Sequence, residues 1–181
     1  MPAHWAVSAD YIRLAVIKTP LGDMVAGATS DAICLLEFND HGRLERQVKT
    51  LCELFLMDLL PGKHTLFARL RQQLDEYFEG NRAAFDIPLA YPGTDFQRKV
   101  WKALQTIPYG QTRSYSEIAG TIGKPAAARA VGGANGANRI AIIIPCHRVI
   151  ASGGGPGGYG GGLWRKLRLL ELERSRERGK R

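Results

Sequence analysis

Hydrophobic and polar positions divide the chain into segments of two different periods. YIRLAVIK (11–18), DMVAGAT (23–29) and AICLLEF (32–38) are β-rich pieces separated by TPLG and TSD, and they predict an antiparallel meander. In RLERQVKTLCELFLMDLL (43–60) the apolar positions Leu44, Val48, Leu51, Leu54 and Phe55 follow a helical period that ends at Pro61-Gly62. HTLFARLRQQLDEYFEG (64–80) repeats the signal through Phe67, Leu70, Leu74 and Phe78, with Gly80 as its stop. FDIPLAYPG, with two prolines, reads as an extended linker. These breaks place an N-terminal α/β domain at 1–90, a second domain at 91–175 and a basic tail at 176–181.

The second half opens on TDFQRKVWKALQTIPYG (94–110). Thr94 and Gln97 fit a capping box, and Phe96, Val100, Trp101 and Leu104 form one buried face. SYSEIAGTIG gives a short helix capped by Ser114 and stopped at Gly123. KPAAARAVGGANGAN gives a second, with Pro125 in its first turn. Two short helices across a Gly-containing turn are the pattern of a helix-turn-helix, and also of two packing helices in a small bundle. Arg129 is the one long side chain among Ala126, Ala127, Ala128, Ala130, Gly132, Gly133 and Ala134. Such a bare helix cannot read base edges, but it permits close backbone approach, and Arg129 could enter a duplex as a wedge. An Ala/Gly face packed on another helix is the plainer alternative. Ile140 to Ile144 reads as a buried strand that delivers Pro145-Cys146. SGGGPGGYGGG follows as a loop with one aromatic, Tyr159. In the last helix, LWRKLRLLELE, Leu163, Leu167, Leu170 and Leu172 are assigned to the core, and Glu173 is either a surface carboxylate or a buried partner for a histidine.

Charge separates the halves. Residues 1–93 hold nine Lys/Arg against twelve Asp/Glu, whereas residues 94–181 hold sixteen against five. The excess points to a polyanion partner for the second half. No basic segment followed by an apolar run opens the chain, and no uninterrupted apolar stretch of about 18 residues exists, so a secretory signal and a membrane span are not expected. The cytoplasm is the expected compartment.

Cys34, Cys52 and Cys146 are widely spaced, without a CxxC pair or a finger-spaced His cluster, and free thiols are expected. Cys34 and Cys52 sit among apolar neighbours and read as small core residues. Cys146 differs, standing at a strand end beside His147 and Arg148, a setting for a low-pKa thiol. Neighbours on an extended chain point to opposite faces, so contact between Cys146 and His147 needs a turn or a bridging water. An inert buried cysteine fits the same local pattern.

Together, PCHRV (145–149), RAVGGANGAN (129–138), TDFQRKVWKALQTIPYG (94–110) and YGGGLWRK (159–166) resemble the O6-alkylguanine-DNA alkyltransferases, in the bacterial single-chain form. TPLGDMVAGATSDAICLLEF (19–38) resembles the family's N-terminal domain more weakly. The resemblance implies an α+β fold: a ribonuclease H-like N-terminal domain of antiparallel sheet and helices, then a helical, winged-helix-like domain with a helix-turn-helix. It implies that Cys146 accepts the alkyl group of O6-alkylguanine, and of O4-alkylthymine, in one irreversible displacement. His147 would take the thiol proton through a water, Glu173 would orient His147, and Asn138 would hold the turn joining Cys146 to His147. Tyr115 would donate toward the guanine ring. The carbonyls of Cys146 and Val149 would accept from its exocyclic amine, and Tyr159 with Gly160 would wall the pocket. Arg129 would fill the stack vacated by the flipped base, with Ala127, Ala130 and Gly132 in the minor groove. Lys124, Arg98 and Arg139 are candidate phosphate contacts. No cofactor or metal is expected. The implied partner is lesion-bearing double-stranded DNA, bound by a monomer, with cooperativity on DNA left open. Asn135-Gly136 stands where some relatives carry a longer basic residue, and the loop GGGPGG is richer in glycine than is usual in the family. An alkyltransferase-like protein that binds without repairing would lack Cys146, and a Cys-His hydrolase would need a dyad that the chain does not suggest.

Overall fold

The computed structural model describes residues 11–40 and 42–179. The chain's opening residues, and the tail side chains from 176 onward, lie outside the described residues. β1 (Ile12–Ile17), β2 (Met24–Ala28) and β3 (Ile33–Phe38) form the expected meander, antiparallel in register from Ile17↔Met24 and Met24↔Phe38. A fourth strand, β4 (Leu59–Pro61), joins the sheet parallel to β1 in the order β3-β2-β1-β4. The helix expected over 43–60 is therefore too long. α1 (Arg43–Phe55) stops where Leu56 adopts the left-handed conformation with φ 54°, and the remaining residues extend to pair with β1. Periodicity could not show this, because an apolar FLMDLL run fits either state. α2 (Thr65–Phe78) is capped by His64, whose ring nitrogen accepts from the Leu66 N–H, and buries Phe67, Leu70, Leu74 and Tyr77.

In the second half, α3 (Asp95–Leu104) carries the expected capping box, with the Thr94 hydroxyl accepting from Gln97 N and the Gln97 side chain accepting from Thr94 N. Its Trp101 is buried and donates to the Ala134 carbonyl at 2.8 Å, which locks α3 to the helix that follows the turn. The short strand β5 (Arg113–Ser114) leads into α4 (Tyr115–Thr121), again with a capping box, between Ser114 and Glu117. Gly123, at φ 70°, turns the chain into a 3-10 turn at Pro125–Ala127 and then α5 (Ala128–Gly136). A 3-10 turn at Cys146–Arg148, β6 (Val149–Ile150) paired parallel with β5, and α6 (Leu163–Gly179) complete the fold. The architecture is mixed α+β: a sheet-bearing N-terminal half and a helical half with a helix-turn-helix. Among the described residues no helix is long and apolar enough to cross a membrane.

The strand expected at 140–144 is absent. The segment is buried but coils, and Ile142 sits at φ 71°. A β-branched residue rarely adopts this conformation, which costs about 1–3 kcal/mol and persists where its surroundings over-determine it. Here the determinants are visible. Leu36 N donates to the Arg139 carbonyl and Ala141 N donates to the Leu36 carbonyl, both at 2.8 Å, so the segment caps the open edge of β3 before turning away. The linker covers the same edge, with Ala90 N donating to the Ile33 carbonyl at 2.9 Å. One apolar core runs through both halves, from Ile17, Met24 and Phe38 to Trp101, Ile118, Ile140 and Leu169.

The phase expected for the last helix also needs correction. Leu163 and Leu167 are exposed, and the inward face is Lys166, Leu169, Leu170 and Glu173, a run of i, i+3, i+4 and i+7. Two charged residues replace leucines on that face because each finds partners inside. Arg165, next to them, stacks on Phe38 with its guanidinium 4.2 Å from the ring centre and pairs with Asp40, which ties α6 to the N-terminal half.

Candidate active site

Cys146 opens the 3-10 turn at the end of the coiled 140–144 segment, and its residue is 6% exposed. Asn138 builds this turn. Its side-chain oxygen accepts from Ile140 N at 3.0 Å, while Nδ2 donates to the Ile144 carbonyl at 2.9 Å and reaches Cys146 Sγ at 3.1 Å. The 3-10 turn puts His147 in the interior. Its Nε2 lies 2.9 Å from Glu173 Oε1, and its Nδ1 is buried with no protein partner among the described residues. Glu173 is the hub of the site. Oε1 also accepts from Tyr77 Oη at 2.7 Å and Arg148 Nη2 at 2.9 Å, and Oε2 accepts from Arg148 Nε at 2.9 Å and Gly110 N at 3.1 Å.

These contacts fix the charges. Burial opposes ionisation of Glu173, but the hydrogen bonds from His147 and Arg148, with the charge of Arg148, outweigh it and hold its carboxyl well below the usual carboxylate range. Burial lowers the His147 pKa from its ordinary value, and Glu173 only partly offsets this, so the imidazole is neutral at physiological pH. Cys146 departs from the expectation of a low-pKa thiol. Burial pushes it up to about 11, against the lowering effect of the Asn138 hydrogen bond, and Glu37 opposes the help from Arg43 and Lys166. The free protein therefore holds a thiol, not a thiolate, and needs a base at the moment of reaction. With a thiol reagent such as iodoacetamide at neutral pH, the half-buried Cys52 is expected to label before Cys146. Peptide mapping that finds Cys146 labelled first would contradict this assignment.

The sulfur borders a cavity of about 170 Å³ lined by Glu37, Arg43, Tyr115, Gly132, Asn135, Asn138, Tyr159 and Gly160, among others. Of the residues singled out from sequence, Cys146, Asn138, Tyr115, Gly132, Tyr159 and Gly160 thus come together here, while His147, next along the 3-10 turn, pairs with Glu173. Lys124, Arg129 and Ala130 lie exposed along the segment from the turn into α5, with Ala127 half-buried beside them. Arg139 does not belong with them. It is buried, stacked over Trp101 at 5.4 Å and donating to the Pro92 carbonyl, so it is unavailable to a phosphate. Arg98 pairs with Asp95 and the Gly93 carbonyl. The two carbonyls expected to meet a guanine amine already accept protein donors: Asn135 Nδ2 lies 3.2 Å from the Cys146 carbonyl, and Lys166 Nζ donates to that of Val149. Each retains a second lone pair for a further donor.

Several residues of the site escaped sequence reading. Arg43, at the start of α1, bonds Glu37 at 2.9 Å and the Gly136 and Asn138 carbonyls at 3.2 Å, bracing the end of α5. A Cβ on Gly160 would lie 2.2 Å from Arg43 Cζ, and one on Gly157, itself at φ +66°, would lie 2.9 Å from Tyr115 Oη. The glycine-rich loop is therefore shaped by close approach as well as by flexibility. The signal for Arg43 was Glu37, a carboxylate inside the otherwise apolar strand ICLLEF, which demands a cationic partner when buried. Tyr77 and Lys166 had no local signal beyond a polar group on an inward helical face.

Residues 12–91 match the family model described as "6-O-methylguanine DNA methyltransferase, ribonuclease-like domain", and residues 95–175 the one described as "6-O-methylguanine DNA methyltransferase, DNA binding domain". A methylated-DNA–protein-cysteine methyltransferase of Mycobacterium leprae is 62% identical over 158 residues, 87% of this chain and 90% of that protein. One of Methanosarcina barkeri is 46% identical over 87% of this chain and 94% of its own. Among solved structures, Mycobacterium tuberculosis OGT in complex with DNA superposes with a TM-score of 0.76 at 46% identity, covering 92% of this chain and 94% of that one. On two family models that together span most of the sequence, and on close relatives along most of its length, the chain belongs to the 6-O-methylguanine DNA methyltransferase family.

Proposed function

We propose that the chain repairs O6-alkylguanine, and O4-alkylthymine, in double-stranded DNA by irreversible transfer of the alkyl group to Cys146. Its family makes it a methylated-DNA–protein-cysteine methyltransferase, acting on DNA by alkyl transfer. The observation that carries the finer reading is the Cys146 sulfur in the wall of a small cavity, held at 3.1 Å by Asn138, with the buried His147–Glu173 pair beginning at the next residue of the chain. The thiol proton passes through a water to His147 Nδ1, the ring nitrogen left without a protein partner among the described residues. Sulfur attacks the alkyl carbon, an S–C bond forms, and the C–O6 bond breaks with its electron pair leaving on guanine. Tyr115 donates toward the ring so that guanine leaves neutral. Among the described residues no second cysteine lines the cavity to take the alkyl group on, so each molecule reacts once.

A 170 Å³ cavity behind α5 cannot be reached by a base inside a duplex, which calls for flipping at a cost of a few kcal/mol. The exposed Arg129 fills the vacated stack, while Ala127, Ala130 and Gly132 let α5 approach the minor groove and Lys124 lies near the phosphates. On this reading residues 1–90 are the structural half and 91–175 the acceptor half, working as a monomer in the cytoplasm. Incubation with DNA bearing O6-methylguanine should add one methyl mass to the Cys146 peptide. An unmodified Cys146 with DNA fully bound would refute the reading. Arg129→Ala is expected to slow repair of duplex roughly ten- to a hundredfold, the weight of a few kcal/mol of flipping, while reaction with free O6-benzylguanine barely changes. Equal slowing of both would remove the wedge role.

A further inference from the structure

Tyr77 stands on α2 in the N-terminal half, yet its hydroxyl ends in the relay of the acceptor half. The ring is fully buried, with Phe78, Phe85 and Tyr109 around it. Its Oη donates at 2.7 Å to Glu173 Oε1, the same oxygen that lies 2.9 Å from His147 Nε2. We propose that Tyr77 is a positioning residue for alkyl transfer, through which the N-terminal half sets the basicity of His147 by sharing the negative charge of Glu173. The inference rests on His147 acting as the base.

A carboxylate oxygen disperses its charge over every donor it accepts, and each added donor weakens its hold on an imidazolium. Tyr77 contributes such a donor without contributing charge. Burial raises its pKa well above the ordinary range, and Glu173 raises it further, so the phenol remains protonated. Packing alone would be met by phenylalanine in this aromatic setting, and a buried hydroxyl is costly unless it is bonded. Among the described residues, the charged groups that act on His147 are Glu173 and Lys166 from α6 and Arg148 from its own turn. Tyr77 and Tyr109 stand around Glu173 and Arg148. Arg148 and Lys166 oppose an imidazolium, and Glu173 favours it. By tempering Glu173, Tyr77 keeps His147 neutral and ready to accept a proton.

The test is the single-turnover rate of methyl transfer from O6-methylguanine duplex at saturating DNA, followed against pH. In Tyr77→Phe the carboxylate is left with one donor fewer, the His147 pKa rises, and the acid limb should move up by about one pH unit. The DNA affinity should stay as in the wild type. Incorporating 3,5-difluorotyrosine at position 77 strengthens the donor and should move the limb down, and this arm decides the matter if Tyr77→Phe does not fold. A limb that stays in place in the variants overturns the proposal. His147→Gln is measured in parallel. If the wild-type limb survives in His147→Gln, the reading of His147 as base has failed and the proposal falls with it. If the limb vanishes there but ignores position 77, only the role of Tyr77 is overturned.

Discussion

Cys146→Ala will abolish alkyl transfer and leave DNA affinity at the wild-type level. The expectation has a structural basis as well as a chemical one. The turn that carries the sulfur does not depend on it, because Asn138 keeps its bonds to Ile140 N and to the Ile144 carbonyl when Sγ is removed. The side chain is small, and its loss enlarges a cavity that already exists, so the backbone has little reason to move. The proposed DNA contacts belong to the Lys124–Gly132 segment and do not involve the sulfur. Transfer measured by mass, with binding measured by fluorescence anisotropy on the same lesion-bearing duplex, separates the two properties. Loss of both would make Cys146 a structural residue.

Glu173→Ala is expected to cost about 3–5 kcal/mol of stability, a large share of the roughly 5–15 kcal/mol that holds a typical domain folded. The reason is what the substitution strands. Arg148 keeps the Ile107 carbonyl but loses its counter-charge at 6% exposure, while His147 and the Tyr77 hydroxyl lose their partner at zero exposure. For a chain of this length that corresponds to a fall of roughly 10–15 °C in the thermal midpoint. Scanning calorimetry with an unchanged midpoint would show that the network contributes little. The same carboxylate gives stability a pH dependence. Its folded pKa is depressed from the ordinary 4.5 to about 2, so its contribution is complete above about pH 4.5 and is lost as pH falls toward 2. His147, buried neutral, adds to the acid sensitivity below its ordinary 6.5. Glu173→Gln should accordingly flatten the acid limb of stability between those values.

Features with local signals were legible in the sequence. Thr94–Gln97 and Ser114–Glu117 announce helix starts because a cap is made within four residues, and the strands of the meander show their turns. Cys146, His147, Asn138, Tyr115, Tyr159 and Glu173 were singled out through motif resemblance; the structure lines one cavity with Cys146, Asn138, Tyr115 and Tyr159 and pairs His147 with Glu173. What was missed depends on distant partners. β4 exists because β1 offers it an edge, and the 139–141 segment coils because β3 claims its backbone. Lys166 and Glu173 face inward because carbonyls, a histidine and an arginine wait there. Arg43 enters the site across more than ninety residues, and no periodicity reports such a meeting.

The raised pKa of Cys146 also bears on the life of the molecule before it meets DNA. Peroxides and stray electrophiles react with thiolates, and a thiol held near 11 offers them almost none. For an ordinary enzyme a brief oxidation is a passing loss, but under the proposed irreversible transfer each molecule has one acceptor to lose. On the proposed mechanism, burial thus works as a safety catch that a flipped lesion would release. The copies a cell has made remain loaded until a damaged base arrives to use them.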